Sequence, residues 1–589
     1  MRLPLVRLPN PITGCWQHPW RLAFCVAVFI VTLGAPAIAQ KPQAILPQVT
    51  IDTSWNPPVG GTTWAAHTAA QFTSALQSAQ PGDIIVLDAG TVYSGYFVVP
   101  AKSNPQNKWI YVESSASAHL PAPGTRVSPA DALNMPKIVT PIVTAALRFS
   151  DGANHWRFAG VEISSASSYH PSGYTTGVNY GYALVDKASY PGTVNLPDHI
   201  FFDRCYVHGD STHDVQQGLV GNDTNFAVVD SYISDIHMKG TDTQAVLAYA
   251  TPGPIKLENN HLEAAGENVM FGGAGQGAFG YVPSDIEIRN NYLYKPLSWI
   301  PLSVGTNTYT VKDAFEIKSA QRVLFDSNVV QNVWSGGQLG FAIVLTPRSS
   351  QSGDVAVVND LTISNNILQN VVSGINTGAA DGLCGTTSYP HCTNAGSQDR
   401  WSIIDNVFEF YDPSVLGGAR NVGMQVNYSL DVPDGSVIVP LRDVVFQHNT
   451  LIPAASTPCW SSIYFGVPTT WRLPFSNLTN NIWLLDNVMC NEPTGDWGQQ
   501  GTSGLTQYMG TPSTQPYDIT HRLYGNVMFV PSNNRVYTFT ASNDATTVPL
   551  TYVYPSVGDY QLLTPYWTNT SDGQLSGINY SSLPTSTGP

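Results

Sequence analysis

Phe315-Glu316-Ile317-Lys318 places a carboxylate and an amine two residues apart inside an alternating apolar phrase. Alternate side chains of a strand share a face, so with Phe315 and Ile317 turned to a core, Glu316 and Lys318 turn away from it together. The same parity gives the outward residues of three similar phrases. In Gln244-Ala245-Val246-Leu247 it sends Gln244 outward, and in Asn268-Val269-Met270-Phe271 it sends Asn268 outward. In the phrase starting at Phe341 it leaves Thr346 and Arg348 outward. On neighbouring strands about 4.8 Å apart these groups form a row. Such a row suits proton abstraction beside a carboxylate and expulsion of a glycosidic oxygen. That reaction needs a base, an acid and something to neutralise the carboxylate. Lys318 is the candidate base, and Arg348 the candidate for stabilising charge or helping the leaving group. Asn268, Glu316 and Glu267 offer oxygen ligands for Ca2+, and Gln244 faces the substrate. The alternative for Glu316 and Lys318 is an ordinary solvated ion pair.

A second set comprises His208, Asp210, His213 and Asp214, then Asp235, His237 and Asp242. Imidazole beside carboxylate suits acid–base work, and His237 and Asp242 are candidate substrate-binding groups. Loop polarity is the alternative. Hydrolysis of a glycosidic bond would instead draw on carboxylates such as Asp242, Glu263 or Glu267. Tyr281, Trp334 and Trp460 are candidate sugar-stacking rings for a protein that only binds.

The elements that must position these residues repeat. The phrase apolar, any, apolar, two turn residues, Asn, any, apolar occurs eleven times, as in Ile255 to Leu262 and Ile286 to Leu293. Its sixth position falls at 161, 205, 231, 260, 291, 328, 366, 406, 449, 487 and 526, at intervals of 26 to 44 residues. A constant strand phrase with variable intervals predicts a stacked solenoid with loops of different length. The recurrent Asn fits a tight turn, tolerates left-handed backbone angles, and can bond to the next coil through its amide. Cys205 fills one of these slots and reads as an inert core residue. Thr68 to Ala79 predicts a short amphipathic helix, and Pro81-Gly82-Asp83-Ile84-Ile85-Val86-Leu87 a turn into a first strand. The fold expected is all-β: a single right-handed parallel β-helix over 40–530 with an N-terminal helical cap.

Pro81 to Leu87 followed by Asn-ladder coils resembles the pectate-lyase-like right-handed parallel β-helix superfamily. Glu258 to Gly273, Phe315 to Lys318 and Gly340 to Arg348 resemble secreted bacterial members of it. The row Asn268, Glu316, Lys318, Arg348 is similar to that of chondroitinase B and related alginate lyases. The resemblance implies Asn/Glu calcium ligands, a Lys base and an Arg on successive coils. Here the Glu-to-Lys spacing is shorter, and the fuller motif around the Arg is absent. The Asp-Asp pair and Gly-His-Gly of polygalacturonase-like proteins are missing, as is the Arg-x-Pro-x-x-Arg of pectate lyases.

The 589 residues are 43% hydrophobic and 11% charged, with a net charge of −15 and no basic stripe. This composition disfavours nucleic acid as a partner. Arg2, Arg7 and Arg21, the apolar run Leu22 to Leu33 and Ala37-Ile38-Ala39 predict an export signal over 1–39, with an uncleaved anchor as the alternative. The expectation is a monomeric secreted, periplasmic or cell-surface protein without a membrane span in its mature form. Its function would be polysaccharide lyase chemistry, or non-catalytic glycan binding, or glycoside hydrolysis. Cys384–Cys392 and Cys459–Cys490 are candidate pairs after export. Residues 531–589 read as a C-terminal cap or tail.

Overall fold

The computed structural model describes residues 41–141, 144–165, 183–187, 195–211, 213–273, 281–305, 308–348, 356–378, 398–411, 421–427, 441–454, 461–466, 481–490, 523–529, 544–546, 552–554, 559–562, 571–578 and 583–584. The chain divides into two units, 1–41 and 42–589. The expected signal, Trp460, Cys384, Cys392 and Cys459 lie outside the described residues.

Alternating apolar phrases form strands that stack into three parallel sheets of 14, 14 and 11 strands among the described residues. One coil contributes Ile255–Glu258 to the first sheet, His261–Ala264 to the second and Glu267–Phe271 to the third. The next coil contributes Ser284–Arg289, Tyr292–Tyr294 and Phe315–Ile317. The coils pair in register, with Ile255 beside Ile286, Leu262 beside Leu293 and Val269 beside Phe315. Their inward side chains make one continuous core. No single coil could bury that face alone, so stacking supplies the stability.

The turn between the first and second sheets carries the asparagine ladder. Asn260 Nδ2 donates to Val228 O (2.8 Å) on one side and to Asn291 Oδ1 (2.9 Å) on the other. The same link joins Asn291 to Asn328, then Asn366, Asn406, Asn449, Asn487 and Asn526. The expectation that the ladder Asn takes the left-handed angles is corrected. The residue before it does so, as at Asn259, Asn290, Ser327 and Asn365, with φ of 55–57°. That residue turns the chain, and the next side chain then drops inside. Cys205 lies buried in its slot, its Sγ 3.3 Å from Phe158 O, and burial pushes the thiol up to about 12.

The helix Ala69–Ser78 is capped by Thr68, whose hydroxyl accepts from Gln71 N, and Phe72, Ala75 and Leu76 join the core. An extended segment along the outer face of the first sheet had no signal in the phrase pattern. Ala44 N bonds Ser402 Oγ (3.3 Å), Gln48 N bonds Asp285 Oδ1 (2.8 Å), and Arg157 donates to Ser54 O (2.9 Å) and Thr53 O (2.8 Å). Cys490 is disulfide-bonded. Among the described residues no helix is long and apolar enough to cross a membrane.

Candidate functional site

On the third sheet, Gln217, Gln244 and Glu267 stand in register on successive coils. Gln217 Nε2 donates to Gln244 Oε1 (3.2 Å), and Gln244 Nε2 to Glu267 Oε2 (2.7 Å). Asp313 takes the equivalent place one coil on, two residues before Phe315 as Glu267 is two before Val269. A parallel outward row runs Val220, Leu247, Met270, Glu316, Val344. Phe315 and Ile317 are fully buried in the core, so the strand presents Glu316 on the other face, where it is only 4% exposed.

Three lysines enter the cluster. Lys312 Nζ lies 3.0 Å from Glu267 Oε1 and also holds Asp242. Lys318 Nζ lies 3.4 Å from Glu316 Oε2, an ion-pair distance without hydrogen-bond geometry. Lys295, fully buried, donates to Ala264 O (2.8 Å), Ala265 O (3.1 Å) and Gly266 O (2.5 Å). It thereby ties down the turn that delivers Glu267.

Burial and mutual repulsion drive the carboxyls apart in proton affinity. Burial, then the Glu267 charge, pushes the Glu316 carboxyl up. Burial acts the same way on Glu267, but Lys312 and Lys318, with hydrogen bonds from Glu316 and Gln244, outweigh it and hold Glu267 down. Asp313 is raised well above the carboxylate range by burial and by Glu316 and Glu267. Both its oxygens are buried without a hydrogen-bond partner among the described residues, as is Glu316 Oε2. One oxygen from each of Glu267, Asp313 and Glu316 lies within 4.8 Å of the other two. Burial pulls Lys295 down to about 7, whereas the Glu267 and Asp242 charges overcome burial at Lys312 and raise it. The outcome is a buried, charge-dense patch behind two partly exposed lysines.

Coil-on-coil pairing in three parallel sheets, with an internal asparagine ladder, decides the architecture. The fold is a parallel β-helix. No protein-family model and no curated protein sequence matches the chain. Solved structures similar to it include an alginate lyase from Paenibacillus sp. str. FPU-7, 14% identical with a TM-score of 0.32, the match covering 69% of this chain and 99% of that one. The PL6 family alginate lyase AlyGC is 13% identical with a TM-score of 0.44, over 90% of this chain and 59% of that one. The PL6 family polysaccharide lyase Pedsa3628 from Pseudopedobacter saltans is 10% identical with a TM-score of 0.40, over 89% and 99%. Such likeness bears on the fold alone and carries no argument about activity.

The β-helix brings Gln244, Asp242, Glu267, Glu316 and Lys318 together, and Arg348 follows closely, its backbone N donating to Lys318 O (2.8 Å). Asn268 is a correction. It points inward, its Nδ2 donating to Leu262 O (2.6 Å) and Tyr294 O (2.9 Å), with no exposed surface. Simple alternation fails there because the strand begins at a turn, where bonding to second-sheet carbonyls decides the side chain's direction. His237 is a second correction. It is buried between Tyr309, stacked at 4.3 Å, and Trp299, with Nε2 3.0 Å from Asp210 O, away from Glu316. The set expected around it divides. His208 pairs with Glu162 (2.8 Å) and His213 with Asp210 (2.6 Å), while Asp242 joins the third-sheet cluster. Glu263 lies on the second sheet beside His261 (3.5 Å). Trp334 is buried, its Nε1 bonded to Ser303 Oγ, so it offers no stacking face. Glu316, almost buried, is not an ordinary solvated charge.

Lys295, Lys312 and Asp313 were not foreseen. A signal for Asp313 existed in the register. Aligning the third-sheet phrases on Val269 and Phe315 sets Asp313 opposite Glu267. Lys295 had none, since its role is to bond main-chain carbonyls.

Proposed function

We propose that this is an exported carbohydrate-active protein that cleaves an anionic polysaccharide by β-elimination. The observation that supports it is Lys318: a partly exposed amine 3.4 Å from buried Glu316, at the solvent edge of an otherwise buried carboxyl cluster on the outward face of the third sheet. In this reading the Lys318 amine takes the proton next to the substrate carboxylate. Arg348, one coil on, faces the oxygen that leaves. Lys312 holds Glu267 and Asp242 in place, and Gln244 orients Glu267 through its 2.7 Å bond. His237 has no part in it.

Both Asp313 oxygens and Glu316 Oε2 lack a hydrogen-bond partner among the described residues and fit a hard cation, so Glu267, Asp313 and Glu316 would hold Ca2+. Bound there, it would supply neutralisation of the substrate carboxylate. The remaining features belong to the same reading. The coil winds to the right, the helix Ala69–Ser78 caps its first turn, residues 1–39 direct export to the periplasm, cell surface or medium, and the protein acts as a monomer.

The test is incubation with alginate, pectate and glycosaminoglycans, with and without chelator. Elimination leaves an unsaturated uronate that absorbs in the ultraviolet. New reducing ends without that chromophore would identify a hydrolase, and tight binding without shortening of the polymer a binding protein. Either result overturns the lyase reading.

A further inference from the structure

A different pair of side chains stands on the first sheet. The strands Asn154–Ala159 and Asp198–Asp203 pair in parallel with Asn154 beside Asp198. The residues next in sequence, His155 and His199, both take left-handed backbone angles, φ 56° and 55°. Their imidazoles stack one coil apart, centroids 4.3 Å and planes 9° from parallel, with the edge of Trp109 against both.

Each ring has its Nδ1 turned to an oxygen of the preceding residue. His199 Nδ1 lies 2.8 Å from Asp198 Oδ2, and His155 Nδ1 lies 3.3 Å from Asn154 Oδ1. The two oxygens are themselves fixed. Asp198 Oδ1 accepts from Thr224 Oγ1 (2.8 Å) and Asn225 Nδ2 (2.8 Å), and Asn154 Oδ1 accepts from Asn104 Nδ2 (3.1 Å). Acceptor oxygens facing both Nδ1 atoms put the proton there and leave each Nε2 with an open lone pair. Because the rings are parallel and their Nδ1 atoms lie on corresponding sides, the Nε2 atoms also lie side by side. The hydrogen bonds of both rings to the described residues are made through Nδ1. One ligand atom from each of His155, Asp198 and His199 lies within 4.8 Å of the other two.

Elsewhere the same left-handed column is filled by ion pairs, Asp285 with Arg322 (2.7 Å) and Asp360 with Arg400 (2.6 Å). The histidine pair instead presents two nitrogen donors backed by a carboxylate, the arrangement in which an outer carboxylate orients a ligating imidazole. With the ring centroids 4.3 Å apart, the two rings must splay so that both Nε2 lone pairs converge on one ion at about 2.1 Å.

We propose that His155 and His199 form a two-imidazole site for a late first-row transition ion, with Asp198 orienting His199 and water completing the coordination. Nitrogen ligands select Ni2+, Cu2+ or Zn2+ over Ca2+ or Mg2+, so this site is chemically distinct from the carboxyl cluster on the third sheet. An ion there would clip two coils together.

The experiment is calorimetric titration of the full chain with Ni2+ in excess Ca2+, with Cu2+ electron paramagnetic resonance as the second readout. The expected result is one ion per chain and nitrogen hyperfine structure from two imidazoles. His155→Asn and His199→Asn should each weaken Ni2+ binding at least tenfold. Asn suits these positions, because Asn225 holds φ 52° next in the column. Asp198→Asn, which keeps both ligands, should weaken binding by a smaller factor. His448→Asn, in the separate group with Asp486 and Asp572, should change nothing. Absence of Ni2+ binding by the unaltered chain, or undiminished binding in the His155→Asn/His199→Asn double variant with an unchanged melting curve, overturns the proposal.

Discussion

Lys312 Nζ sits 3.0 Å from Glu267 Oε1, and that carboxylate has no exposed surface. The ammonium is what allows a charge to persist there. Removing it should therefore be costly, because an uncompensated buried carboxylate remains. Lys312→Met is expected to destabilise the protein by about 3–5 kcal/mol in chemical denaturation. Adding Glu267→Gln to Lys312→Met should restore part of the loss. A single variant as stable as the parent would show that the pair is unimportant.

Lys318→Ala should lower kcat/KM on a cleaved polymer by roughly 10²–10⁴-fold with little change in melting temperature. The measurement is the rate of ultraviolet chromophore formation. Full activity in this variant would remove Lys318 from the chemistry while leaving the fold untouched.

The pH dependence of stability has a definite sign. Glu316 binds its proton more tightly folded than unfolded, its carboxyl raised from 4.5 to about 8 by burial and then by Glu267. Its contribution is fully present below the unfolded value and is lost as pH rises from about 4.5 through about 8. Glu267 works oppositely, being held low, and its contribution is lost as pH falls into the acid range. Denaturation midpoints measured across pH should therefore fall on the alkaline side in the parent and flatten in Glu316→Gln. An unchanged alkaline slope in that variant contradicts the assignment.

Calcium should raise the melting temperature of the full chain, and Asp313→Ala should abolish the rise, since its two oxygens are buried without partners among the described residues. This readout does not depend on activity. An equal rise in the variant would place any bound ion elsewhere.

Asn328→Ala should remove the bond that Asn291 Nδ2 donates to Asn328 and the bond that Ile288 O accepts from it, 3.1 and 2.9 Å in the intact protein, leaving one amide hydrogen and one carbonyl without these partners inside the coil. The expected loss is on the order of 3 kcal/mol, with faster amide exchange in the neighbouring coils than in distant ones. A loss below about 0.5 kcal/mol, within the range of neutral surface substitutions, would mean that the ladder only decorates the turn.

The repeated phrase by itself determined the stack. Its apolar alternation makes strands, its sixth residue marks the buried ladder from Asn260 to Asn526, and parity places Phe315 and Ile317 inside with Glu316 opposite. These follow from local periodicity, which every coil repeats. Tertiary structure decided the rest of the cluster. Asn268 turned inward because second-sheet carbonyls accept its amide, Lys295 was drawn in to three main-chain oxygens, and Lys312 and Asp313 met Glu267 across two coils. The stacked histidines, 44 residues apart in sequence, likewise meet only through register. Such residues lie at strand entrances and in connections of unequal length, where no period holds and direction is set by whichever polar group the next coil leaves unpaired.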